Sequence, residues 1–89
     1  MARLSAHGSE TARFEKLFGP DGDVLARRTR YSIRQDGAIL KEYAVLYPRG
    51  QYHPGGWHSF GWKIAARPKV ARPIEYLRPA LLAQGYLEG

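Results

Sequence analysis

The chain has 89 residues and a formal net charge of +6, from 14 Lys and Arg against 8 Asp and Glu. A chain of this length buries only a little over ~60% of the surface that its extended form exposes, which argues against a large catalytic cavity. The composition is that of an ordinary globular protein, so we expect one small domain over residues 1–89. Its positive charge favours polyanionic partners, meaning nucleic acid, an anionic membrane surface or an acidic protein.

The sequence contains no cysteine, which excludes disulfides and thiolate metal sites and fits a reducing compartment. The first residues lack the apolar core of a signal peptide, and no run of apolar residues is long enough to span a membrane. We therefore expect a soluble, cytoplasmic protein with no membrane association.

Residues 9–19 allow two interpretations. Ser9 could cap a helix that carries Phe14 and Phe18 on one face and ends at Gly19. Alternatively, Ala12, Phe14 and Phe18 alternate as in a strand, and the Gly and Pro residues that follow form a turn. Neither interpretation assigns chemistry to this segment.

The stretch 24–47 predicts a β-hairpin, because Asp36-Gly37 lies between two runs rich in β-branched and aromatic residues. A two-residue type I′ turn would pair Arg34 with Ile39 and Tyr31 with Glu42. One face of the hairpin would then belong to the core, and it consists of Leu25, Thr29, Tyr31, Ile33, Leu40, Ala44 and Leu46.

The opposite face of this hairpin would be basic, with Arg28, Arg30, Arg34, Lys41 and Tyr43 and with Ile39 and Val45 among them. Such a face can follow a phosphate backbone and offer a ring to a base. Charged residues are also common on solvent-facing strands, and for the hairpin alone that is the simpler interpretation. A three-residue loop with a bulge at Gly37 would turn the second strand over and remove Lys41 and Tyr43 from the basic face.

After Pro48, the residues 49–61 predict a compact, ordered loop rich in Gly, Pro and aromatic residues. Residues 62–66 predict a short strand with Trp62 and Ile64 facing the core. An extended segment, bracketed by two Arg-Pro pairs, should cross from Arg67 to Pro73.

A helix should begin at Pro73, with a kink or a break into two short helices at Pro79, and should end at Gly85. Tyr86 and Leu87 should then fold back on the core. These elements together predict a small α+β domain, in which an antiparallel sheet of three or four strands packs against the C-terminal helix.

The segment between Glu42 and Glu75 contains no acidic residue. It holds six of the eleven aromatic residues, and five of its residues are basic: Arg49, Lys63, Arg67, Lys69 and Arg72. A surface that binds phosphate needs cations without neighbouring carboxylates. The ordinary role of Trp57 and Trp62 would nevertheless be that of core residues.

No enzyme, metal site or cofactor is expected. His53 and His58 have no Cys and no nearby acid to complete a zinc site. Ser59 adjoins His58 but lacks a nucleophile elbow, the acids form no catalytic pair, and Gly55-Gly56 is not followed by the Lys of a phosphate-binding loop.

The sequence therefore predicts a non-enzymatic nucleic-acid-binding module that takes DNA or RNA on a sheet face and the adjoining loop. An adaptor or an inhibitor of phage or mobile-element type, binding an acidic protein, is the alternative, and pairing of two copies through a sheet edge is a third interpretation. The predicted binding residues are Arg28, Arg30, Arg34, Lys41, Tyr43, Arg49, Tyr52, Trp57 and Lys63.

Overall fold

The computed structural model describes residues 9–67 and 73–89. Its elements are β1 (Glu10–Phe18), β2 (Ala26–Arg34), β3 (Ile39–Tyr47), β4 (Gly56–Ala66), α1 (Ile74–Ala83) and β5 (Leu87–Glu88). The strands form one antiparallel sheet in the order β4-β3-β2-β1-β5. The predicted α+β class, with its sheet and C-terminal helix, is confirmed, and the described sheet has five strands rather than three or four.

Residues 10–18 form a strand, so the helical interpretation of this segment is wrong. Ala12 and Phe14 are buried and point to the same side of the sheet, as the alternating pattern requires. β1 pairs with β2 along one edge and with β5 along the other. Because β1 pairs on both edges, its backbone N–H and C=O groups bond to the neighbouring strands, and a helix is not needed to satisfy them.

The central hairpin closes with a three-residue loop, and the pairing expected from a type I′ turn is therefore wrong. The Arg34 N–H donates to the Ala38 carbonyl at 2.9 Å, and the Gly37 N–H donates to the Arg34 carbonyl at 2.9 Å. Gly37 has φ +89°, the left-handed conformation of a bulge at this position. As a result Ile33 pairs with Ile39, one residue away from the predicted partner Leu40.

This register decides which residues share a face of the sheet. Ile39, Lys41, Tyr43 and Val45 lie on the side covered in part by α1, which we call the helix face. Leu40, Glu42 and Ala44 lie on the opposite side together with Arg28 and Arg30, which we call the arginine face. Lys41 and Tyr43 are thus separated from the arginines. Leu40 and Ala44 are buried, as predicted for core residues, but they lie on the arginine face rather than on the side that the helix covers.

Replacing Gly37 with Ala should destabilise the protein by about 1–2 kcal/mol, because a side chain at φ +89° strains the backbone. A Cβ at Gly37 would meet no atom within 4 Å, so backbone strain alone is tested. Gly50→Ala is the matched control, since that position is also open but has no positive φ. Urea unfolding of the two variants measures the difference, and equal stabilities would contradict the expectation.

The helix packs over the β1 and β2 half of the sheet. Its residues Ile74, Leu77 and Leu81 contact a cluster that ends at the first residue of β3 and comprises Ala12, Phe14, Tyr31, Ile33, Ile39 and Tyr86. The helix face of β3 and β4 beyond Ile39 contributes nothing to this cluster. That part of the face is therefore left outside the helix-packed core.

The end of α1 is set by Gly85, as predicted. The Tyr86 N–H donates to the Leu81 carbonyl at 3.0 Å, and the Gly85 N–H donates to the Leu82 carbonyl at 3.1 Å. These two bonds, with φ +93° at Gly85, form a Schellman motif. The turn brings Tyr86 back into the core beside Leu81, whereas Leu87 is exposed and pairs with β1.

Three further expectations need correction. The helix begins at Ile74 and runs without a break through Pro79. Pro79 has no N–H to donate within the helix, but it lies on the exposed side, where water can take the place of that hydrogen bond. β4 begins at Gly56, which shortens the predicted loop 49–61. Trp62 and Ile64 lie on the arginine face rather than toward the helix-packed core.

The predicted crossing segment falls mostly on residues 68–72, outside the described residues. Within the part of the chain that is described, no helix is long and apolar enough to cross a membrane.

Candidate nucleic-acid interface

The part of the helix face that α1 leaves uncovered carries a continuous row of rings. Tyr43 on β3 and Phe60 on β4 stack with their centroids 5.6 Å apart and their planes inclined by 20°. His58 meets the Phe60 ring edge-on at 4.8 Å, and its centroid lies 6.4 Å from that of Tyr47. The ring centroids of Tyr47 and His53 lie 5.1 Å apart. We call these five residues the ring row.

The rings are accessible because, among the described residues, the helix-packed cluster does not include any of them. Tyr43 is 38% exposed and Phe60 is 49% exposed. Rings of this size are usually buried to a greater extent in a small protein, since each contributes a large apolar area. A row of exposed rings on a sheet face is an arrangement suited to stacking with flat ligands.

Two lysines adjoin the ring row at one end. Lys41 and Lys63 are direct cross-strand partners on the helix face, and Lys41 Nζ lies 5.5 Å from the centroid of the Tyr31 ring. A cavity of about 210 Å³ lies between these lysines and the Tyr43 and Phe60 rings. Like charges in directly opposed positions are destabilising, and an anion bound between them would remove that repulsion.

No acidic side chain of β3 or β4 shares this face. Glu42 is the only acid of β3 and lies on the arginine face, and β4 contains none. Neither Lys41 nor Lys63 has a carboxylate partner among residues 9–67 and 73–89. The positive charge of this pair is thus not neutralised within the described part of the chain.

The arginine face is organised around Glu42, which is only 3% exposed. Its carboxylate accepts hydrogen bonds from Arg30 Nε, from Arg28 Nη2 at 3.3 Å and from Ser59 Oγ at 2.6 Å. Burial acts to raise the pKa of Glu42, but the bonds from Arg30 and Ser59 outweigh it and hold the pKa at about 2. Glu42 is therefore ionised at neutral pH and pairs with both arginines.

Two tryptophan rings on the arginine face pack against its arginine side chains. The Arg28 guanidinium lies 4.4 Å from the Trp57 ring centroid, and Arg30 and Arg13 lie 5.2 Å and 5.6 Å from that of Trp62. Guanidinium groups stack well on such rings, and their alkyl stems cover apolar surface. This layer of side chains lies over the sheet where no described helix does.

The third arginine of the predicted site, Arg34, is also engaged. It is buried, and its Nη1 donates to Ser32 Oγ at 3.0 Å and lies 3.9 Å from Glu10 Oε2. The predicted single basic face is therefore divided. Arg28, Arg30 and Arg34 hold internal partners on one side of the sheet, and Lys41, Tyr43 and Lys63 lie on the other.

The remaining predicted residues are Trp57, Arg49 and Tyr52. Trp57 is 42% exposed but lies on the arginine face. Arg49 and Tyr52 are both exposed in the loop between β3 and β4, and Tyr52 is outside the ring row. In the same loop His53 Nδ1 accepts a hydrogen bond from the Gly55 N–H at 2.9 Å. Among the described residues no three His, Asp or Glu side chains could hold a metal ion.

Four members of the ring row join the candidate site although they are not among the predicted binding residues: Tyr47, His53, His58 and Phe60. Phe60 and Tyr47 belong to the aromatic, acid-free segment, and this was the signal that could have identified them. Their convergence depends on the pairing of β3 with β4, which composition does not reveal.

Comparisons with protein-family models, with curated proteins and with solved structures find no match to this chain.

Proposed function

We propose that the protein is a non-enzymatic nucleic-acid-binding module and that it binds through the uncovered helix face of β3 and β4. The observation that supports this most directly is the Lys41 and Lys63 pair beside the exposed Tyr43 and Phe60 stack, on a face to which neither strand contributes a carboxylate. The lysines would contact phosphates, and the rings would contact bases or sugars. Arg49, which follows β3 at the other end of the ring row, would supply a third phosphate contact.

Affinity should fall with salt in proportion to the number of phosphates contacted. With Arg28, Arg30 and Arg34 engaged internally, three cations remain on the proposed face, and we expect a log-log slope of about −2 for a single strand. Fluorescence anisotropy with a labelled oligonucleotide at several salt concentrations measures this slope. A steeper slope of about −5 would instead indicate roughly six contacts to a duplex, as expected if the arginines also bound phosphate.

A double variant, Lys41→Ala with Lys63→Ala, should weaken binding and reduce the salt slope, by about 0.7 for each phosphate that the variant no longer binds. Lys16→Ala is a suitable control because Lys16 lies over the β1 side of the sheet, where its Nζ donates to the Gln84 carbonyl. Absence of binding at low salt would refute the proposal.

The two tryptophans offer a way to tell which face is used. Trp57 and Trp62 both lie on the arginine face, away from the ring row. Binding at the ring row should leave Trp fluorescence nearly unchanged, whereas a ligand on the arginine face would alter it.

An acidic protein partner is the second candidate, and the arginine face favours it. Trp57 is partly exposed and stacked on Arg28, and Trp and Arg are typical anchors of protein interfaces. Capture from lysate after nuclease treatment separates the two candidates. A partner retained without nucleic acid, and absent when a Trp57→Ala variant is used, would support this second function.

A further inference from the structure

We infer that the nucleic acid taken by this face is single-stranded and that its bases stack on the ring row. This inference rests on the proposed function and adds the class of ligand. The rings that would receive bases are Tyr43, Phe60 and Tyr47, and the lysine pair and Arg49 would hold the phosphates at the two ends of the row.

The first argument is the accessibility of the rings. Tyr43 and Phe60 are stacked on each other, and both remain partly exposed on a sheet face. In a duplex the bases are already stacked and paired, so exposed rings gain little from it. An unpaired base can be splayed out onto an aromatic ring, and this contact tolerates any sequence because every base has a π-face.

The second argument is the shape of the surface. α1 stands on the same side of the sheet as the ring row, and Leu77 and Leu81 line a cavity together with Ala65 and Ala66 of β4. No ring-row residue lines this cavity, so the ring row lies farther along β3 and the edge strand β4, on an open part of the sheet face beside the helix. Reading a duplex requires an element that projects into a groove, whereas a flexible single strand can lie along an open sheet face.

The third argument is the order of groups along β3. Lys41, Tyr43 and Tyr47 lie on one face in that order, and Arg49 follows the strand. At roughly 3.3 Å per residue, Lys41 and Tyr47 are about 20 Å apart along β3, and Tyr43 and Tyr47 are about 13 Å apart. This order places ring contacts between two regions of positive charge, which suits a short run of several nucleotides.

The most direct experiment changes the ligand and leaves the protein intact. Three labelled probes of about ten units are compared with the full chain at one salt concentration: a mixed-sequence single strand, the same strand as a duplex, and an abasic strand with the same phosphates. We expect the ordinary single strand to bind at least about 10-fold more tightly than the abasic strand, since each stacked base contributes substantially.

Two variants of the protein test whether bases stack on the ring row. Tyr43→Leu and Phe60→Leu should each weaken binding of the single strand by about 5- to 100-fold, the range expected when one base no longer stacks. Tyr43→Phe, which keeps the ring, should restore most of the affinity. Tyr76→Leu removes an exposed ring on α1, outside the ring row, and should have no effect. Thermal melting of each variant checks that it is folded.

The outcomes separate this inference from the proposed function. Equal affinity for the ordinary and abasic strands, or for the single strand and the duplex, overturns the inference and leaves nucleic-acid binding in place. Failure of all three probes to bind at low salt overturns both. Preference for the ordinary single strand, together with weaker binding by both Leu variants, supports both.

Discussion

Replacing Glu42 with Ala should lower the free energy of unfolding by about 3 kcal/mol or more. The Glu42 carboxylate is buried and accepts hydrogen bonds from Arg28, Arg30 and Ser59. Its removal would leave the two arginines without their counter-charge on a face where they are held against Trp57 and Trp62. Unpaired charges in such surroundings are much more costly than the loss of an exposed ion pair.

Urea unfolding followed by circular dichroism measures the effect. Glu42→Gln keeps the size of the side chain and one of its two acceptor oxygens but loses the charge, so it should fall between Glu42→Ala and the unchanged protein. Glu88→Gln is the control, because its partner Arg78 is exposed and the pair should contribute little. If Glu42→Ala and Glu88→Gln proved equally mild, the organising role of Glu42 would be refuted.

Stability should also decrease with acid, and Glu42 should account for most of the decrease. Burial raises the pKa of Glu42, whereas its bonds from Arg30 and Ser59 lower it from 4.5 to about 2 in the folded state. A carboxylate whose pKa is lower in the folded protein stabilises it fully above its unfolded pKa. That contribution, about 2–3 kcal/mol, should be lost as the pH falls from about 5 toward 2.

The pKa of Glu10 is also lowered, since bonds from Ser32 and Arg13 outweigh the effect of its burial, so the acid dependence of the whole protein has more than one source. The difference between the unchanged protein and Glu42→Gln isolates the Glu42 contribution. We expect this difference to be large at pH 7 and to decrease steadily below pH about 5. A difference that does not change with pH would contradict the assignment.

The elements were more predictable than their register. Asp36-Gly37 identified the hairpin, and Gly85 identified the end of the helix, because both depend on local backbone preferences. Asp36-Gly37, however, suits a two-residue loop and a three-residue loop alike. In the observed register Ile39 joins the core cluster with Leu81 and Tyr86, whereas the two-residue loop would turn Leu40 toward that side instead. Such contacts are distant in sequence and leave no local signal.

The two tryptophans illustrate the same limit. Trp57 and Trp62 are five residues apart and would lie on opposite faces of a regular strand. In β4 the pair Phe60-Gly61 opposes the single residue Tyr43, and Gly61 has φ +89°. This bulge brings both tryptophans onto the arginine face. Their expected role in the helix-packed core is therefore wrong, for a reason that alternation alone could not supply.

Of the candidate site, the acid-free aromatic segment was the informative signal. It contained Tyr43, Phe60 and Lys63, which the structure brings together with Lys41. The arginines of the hairpin were the more conspicuous residues, but counting charges could not reveal that Glu42 would hold two of them. Whether any of these residues binds nucleic acid stays a prediction.

The register of β3 and β4 determines which positions of the protein can be substituted without disturbing the fold. Neighbouring residues of β3 and β4 serve different sides of the sheet: Tyr43, His58 and Phe60 belong to the ring row, while Glu42 and Ser59 belong to the network that supports the fold. Substitutions in the ring row can therefore accumulate without touching the network. The uncovered face could diversify toward new ligands in evolution or in a designed library, on a scaffold whose opposite side stays fixed.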